Sequence, residues 1–140
     1  MRGHSIIELL LVLTLLGATT ASLAPIALEY RDRNSAVAAR EAMVGLLAEA
    51  RLAAMERGLA WVRIDMPAAS ARVLAPDSTL RTVHFRGDFG TELELTSGAD
   101  VELRFNALGL GVMAAQTVRF RRGESVAELV VSGYGRVRRR

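Results

Sequence analysis

Residues 2–28 read RGHSIIELLLVLTLLGATTASLAPIAL. From Leu9 to Leu28 this stretch holds no charged side chain. As a helix rising about 1.5 Å per residue, such a run matches the roughly 30 Å hydrocarbon core of a bilayer. One carboxylate, Glu8, stands at the head of the run. A carboxylate at mid-membrane costs on the order of 2.5 to 3.5 kcal/mol, less near the interface, and is usually kept for a partner. A secretory signal peptide, with ATTASLA as its small-residue cleavage site, accounts for the apolar run, and so does a plain signal anchor. Neither gives Glu8 a purpose.

A cut after Gly3 does. Glu8 then becomes the fifth residue of the mature chain, behind a new α-amino group at His4 whose ordinary pKa is about 7.7 to 8.0. Between neighbouring helices in a low dielectric, that amine and Glu8 attract far more strongly than in water. The carboxylate then acts as a register pin between subunits. Further along, Pro25 removes a backbone donor and clashes with the carbonyl four residues back, predicting a local melt or kink over residues 21–25.

The 140 residues leave room for one modest domain beyond this helix, and the composition, 51% hydrophobic and 24% charged, suits a membrane-tethered domain with a soluble face. With no cysteine, a disulfide framework and a thiolate metal site are both excluded. All 18 basic residues are arginine, and they are unevenly spread. From Arg119 onward seven arginines face two acids, whereas the preceding residues are slightly acidic.

Past the apolar run the helical period continues. Ala36, Ala39, Met43, Leu47, Ala50 and Ala54 share one side, Glu41, Glu49 and Glu56 another, and Gly58 is the expected stop. The period then changes to alternation in AWVRIDM, TLRTVHF, TELELT, VELRF, TVRFR and VAELVV, separated by turn-forming residues. The expected architecture is α+β: a long N-terminal helix whose outer half covers the buried face of an antiparallel β-sheet head. The divisions are a leader at 1–3, a transmembrane and assembly helix at 4–28, the outer half of the helix at 29–58, and a β-rich head with a basic tail at 59–140.

Gly3 followed by HSIIE resembles the processing motif of type IV prepilins and type II secretion pseudopilins, with His4 where phenylalanine is usual. Pro25 resembles the proline of the same helix. EARLAAMERG, LRFNALGLG and the terminal SGYGRVRRR are similar to the GspH/FimT group of minor pseudopilins and minor pilins. The resemblance implies trimming after Gly3 by a prepilin peptidase, N-methylation and single-pass insertion in the inner membrane with the head in the periplasm. It also implies assembly with other pseudopilins or pilins by an inner-membrane machinery, into a periplasmic or surface filament.

Catalysis finds little support. His84 has Asp88 nearby but no nucleophile or substrate group in sequence that completes a set. Glu92 and Glu94 share a strand face of the kind that is ordinarily solvated, and Gly109 with Gly111 lacks the spacing and basic residue of a phosphate loop. The expectation is a protein that is not an enzyme and uses no cofactor or metal. The tail is the remaining candidate. Arg136, Arg138, Arg139 and Arg140, with Arg119, Arg121 and Arg122 from an earlier strand, can grip phosphates without reading sequence, and Tyr134 offers a stacking surface. GRVR resembles the Gly-Arg-x-Arg motif of DNA-binding FimT-type members, so double-stranded DNA is a partner under one reading. Under the other, the tail serves a filament neighbour or anionic lipid.

Overall fold

The computed structural model describes residues 5–140 of the chain, the side chains of residues 21–24 excepted. Helix α1 runs from Ile6 to Arg57 and ends where Gly58 takes a φ of 85°, a left-handed conformation that only glycine adopts without cost. Helical geometry is unbroken at Pro25, so the expected local melt is not present; the proline ring removes one backbone donor and leaves the rest of the ladder in place.

Two compact units part between Arg31 and Asp32. In the first, every described side chain from Ser5 to Arg31 is exposed. Leucines and isoleucines there stand more than half open to solvent, as with Leu9 at 62% and Leu16 at 63%. That surface is far too apolar for water and has the length and hydropathy to cross a membrane. Its threonines suit an apolar setting, because the hydroxyls of Thr14 and Thr19 donate to helical carbonyls three or four residues back.

The second unit is the head. Strands β1 (Leu59–Asp65), β2 (Ser70–Ala75), β3 (Ser78–His84) and β5 (Val101–Asn106) form one antiparallel sheet in the order β3-β2-β1-β5. Strands β4 (Glu92–Leu95), β6 (Gln116–Arg122), β7 (Ser125–Val131) and β8 (Val137–Arg139) form a second, in the order β4-β6-β7-β8. The single sheet expected from the alternation is therefore two. Strands β2 and β8 are additional to the six read from sequence, as is the short helix α2 (Phe85–Phe89) that carries the chain between the sheets. Phe85 on α2 packs against Phe120 of the second sheet, ring centroids 5.4 Å apart.

Alternation decides what is buried. Val62 and Ile64 on β1, Val73 on β2 and Leu103 with Phe105 on β5 turn inward, as do Val118, Phe120, Leu129 and Val131 from the second sheet. The six residues of the predicted helical stripe, Ala36 to Ala54, are all buried. Leu46 and Ala53 widen that stripe. Among the described residues the hydrophobic core is drawn from positions between Ala36 and Val137, so a fragment starting at residue 30 contains all of these core side chains and both sheets.

Candidate functional site

The processing residues Gly3 and His4, and the leader at 1–3, lie outside the described residues. Glu8 is described, and the structure adds to its reading. Ser5 opens α1: its hydroxyl accepts from the amide of Ile7 at 3.3 Å and its carbonyl from the amide of Glu8 at 2.9 Å. Glu8 stands three residues past Ser5, at the spacing of a capping box, and as an acid in the first turn it suits the positive end of the helix dipole. The S-x-x-E spacing was open to view in the sequence. It gives Glu8 a local role beside the intermolecular one, and replacing the acid by glutamine separates the two.

The eight residues of the basic cluster do not act together. Strand alternation sorts them. Arg119 and Arg121 lie on the solvent face of the second sheet among acids: Arg119 Nε meets Glu128 at 2.7 Å and Arg121 Nε meets Glu94 at 2.8 Å. Hydrogen bonding from Arg121 holds the Glu94 carboxyl below its ordinary range and raises Arg121 in turn. Arg122 points the other way, into the flank of α1. Its Nε donates to Asp32 at 2.9 Å, and its Nη1 to Ser35 at 2.9 Å and to the Phe89 carbonyl at 2.6 Å. Arg122 is a structural tie and is removed from the candidate nucleic-acid set. Arg139 is also turned toward the helix, where Glu41 accepts its Nε at 3.0 Å and is held below its ordinary range chiefly by that bond.

Three guanidiniums of the cluster remain without a side-chain partner among the described residues: Arg136, Arg138 and Arg140. Tyr134, two residues before Arg136, is 80% exposed. The backbone that presents them is tightly held. The Gly135 amide donates to the Ser132 carbonyl at 2.8 Å, the Gly111 amide to the Tyr134 carbonyl at 3.0 Å, and Arg51 Nη2 to the Gly135 carbonyl at 2.6 Å. The Arg51 guanidinium also lies 5.6 Å from the centre of the Phe105 ring. Sequence reading passed over Arg51, although its spacing from Leu47 and Ala54 places it on the buried side of α1.

Residues 106–116 are fastened as well. The Asn106 side-chain oxygen accepts from the amides of Leu108 and Leu110, both at 3.0 Å, and the Val112 amide bonds the Arg104 carbonyl at 2.9 Å. Leu108, Leu110 and Val112 are left exposed, and Leu110 and Val112 line one recess with Tyr134. The histidine candidate resolves simply: Asp88 accepts the backbone amide of His84 at 3.1 Å, an end-of-helix contact with no bearing on the imidazole.

No protein-family model matches the chain, and no curated protein matches it. Two crystal forms of the type IV minor pilin FimU of Pseudomonas aeruginosa PAO1 share its fold. One is 22% identical with a TM-score of 0.61, covering 79% of this chain and 92% of its own. The other is 20% identical with a TM-score of 0.58, covering 74% and 90%. At such identities the likeness is one of fold: a long N-terminal helix followed by antiparallel sheets, the α+β architecture of a type IV minor pilin.

Proposed function

We propose that the chain is a minor pilin-like subunit of a filament, made as a precursor, cut after Gly3 by a prepilin peptidase and methylated on His4. It sits in the inner membrane as a single-pass protein with its head in the periplasm, and an inner-membrane machinery builds it into a filament with other pilins or pseudopilins. Its work is structural and not enzymatic. The observation that carries this reading is the pairing of an apolar helix segment, exposed at every described side chain and bearing Glu8 as its one carboxylate through Leu28, with a head of minor-pilin fold. An apolar surface of that extent needs lipid before assembly and neighbouring helices after it. Intact mass of the membrane-extracted protein tests the processing step: loss of Met1–Gly3 with one added methyl is expected, whereas a cut inside residues 18–24 would mean a signal peptide and end this reading.

Within that role, the GspH-like place in a type II secretion pseudopilus is the first reading and accounts for the tail as a filament contact. A second, a FimT-like minor pilin that binds DNA during uptake, is favoured by the arginines of the tail that have no side-chain partner among the described residues, Arg136, Arg138 and Arg140, and by exposed Tyr134. Titrating residues 30–140 against double-stranded DNA at two salt concentrations separates them. Under DNA binding, Arg136→Ala with Arg138→Ala weakens affinity for every sequence and lowers the salt slope by about two. No binding at low salt leaves the secretion role.

A further inference from the structure

Where the head's helix passes the end of the second sheet, a recess of about 330 Å³ is lined by Ala36, Val37 and Val126 on its apolar side and by Arg33, Arg40 and Arg140. The three arginines are not equivalent. Arg40 is committed: it donates to Glu41 at 3.0 Å and to the Arg140 carbonyl at 3.1 Å. Glu41, beside Arg40, is already shared between Arg40 and Arg139. Arg33 and Arg140 have no side-chain partner among the described residues. The recess therefore joins two guanidiniums without a side-chain partner to an apolar wall on which Val37 and Val126 stay partly open.

We propose that this recess binds the phosphate of an anionic phospholipid headgroup, held by Arg33 and Arg140, with the glycerol end of the lipid against Val37 and Val126. Guanidinium forks match phosphate oxygens in pairs, and the apolar wall suits a phosphate attached to an aliphatic body better than a free ion. Lipid is favoured over an acidic protein by position in the chain. Arg33 follows Leu28 by five residues, so even fully extended backbone keeps it within about 18 Å of the uncharged run. The proposal rests on the reading of that run as a membrane anchor. It would give the subunit a reversible second hold on the bilayer surface, released when the helix leaves the membrane for the filament.

Residues 30–140, which hold the complete core, are sedimented with vesicles of phosphatidylcholine alone and of phosphatidylcholine mixed with phosphatidylglycerol. Binding to the mixed vesicles alone is expected. Arg33→Gln with Arg140→Gln should weaken it roughly thirty-fold, the effect of two arginines at an anionic surface. Arg57→Gln with Arg86→Gln removes the same charge elsewhere and should stay within about three-fold of the parent. Equal loss in both double variants, or no binding to mixed vesicles, overturns the proposal. Displacement by inorganic phosphate at matched ionic strength would reveal a free-phosphate site and overturn the lipid assignment. Because the apolar run is absent from this fragment, failure here leaves the anchoring of residues 9–28 untouched; that is tested separately by carbonate extraction of the full chain.

Discussion

Gly135 is where the geometry of the tail is most sensitive. Its φ is 81°, and a Cβ there would lie 2.8 Å from Cε1 of Phe105 and 3.3 Å from both Arg51 Nη2 and the Gly111 nitrogen. Gly135→Ala therefore meets two costs, about 1 to 2 kcal/mol for a left-handed backbone and about 1 to 3 kcal/mol for forcing a methyl into packed surroundings. Two other glycines divide these terms. Gly98 has a φ of 65° with nothing within 4 Å of its Cβ, so Gly98→Ala meets the backbone cost alone. Gly45 lies within α1 with equally open space, and Gly45→Ala should stabilise by roughly 0.5 to 1 kcal/mol. Urea unfolding of residues 30–140 measures all three by linear extrapolation. The expected order is Gly45→Ala above the parent, Gly98→Ala below it, and Gly135→Ala lowest, about 2 to 5 kcal/mol down. Gly135→Ala equal to or milder than Gly98→Ala would refute the tight junction between the glycine loop, Phe105 and Arg51.

Further outcomes follow from the same contacts. Arg122→Met strands Asp32 and the Phe89 carbonyl and should cost about 2 kcal/mol in the same unfolding assay. Arg136→Ala with Arg138→Ala breaks no side-chain contact and should leave stability within about 0.5 kcal/mol, so any loss of binding is not a folding effect. The pH response has a definite sign. Glu41, Glu94 and Glu102 are all held below the ordinary carboxylate range by arginine, Glu102 through Arg104 and then Arg63. Their folded pKa values lie below the unfolded ones, so their stabilisation is present at neutral pH and is lost as pH falls below about 4.3. Glu102→Gln should make the acid limb of a stability profile shallower, and an unchanged limb would remove that pair from the account.

Much of this architecture was legible in one dimension. The stripe from Ala36 to Ala54 and the stop at Gly58 are visible because a helix buries residues at a fixed period. Strands β1, β5, β6 and β7 are visible because each alternates large apolar with charged side chains. β2 was missed because two of its inward residues, Ala71 and Ala75, are too small to mark alternation, and the turn-forming residues around it mask the rest. β8 was hidden inside a run of arginines, where Val137 is the one apolar residue. The division into two sheets depends on pairings between strands far apart in sequence, which local pattern does not carry. The arginine cluster is the instructive case. Period-two alternation past buried Phe120 and half-buried Val137 already turns Arg122 and Arg139 toward the helix; counting charge alone merged them with residues on the opposite face.

The central claim is that the charge of Glu8 sets subunit register in a filament, and Glu8→Gln tests it most directly. Glutamine keeps the side-chain shape and the capping-box place after Ser5 while abolishing the charge. Expressed at the level of the parent, the variant should insert in the membrane normally and be depleted from the sheared filament fraction, as should Glu8→Leu. Incorporation of Glu8→Gln equal to the parent would contradict the account and leave Glu8 as a helix cap alone.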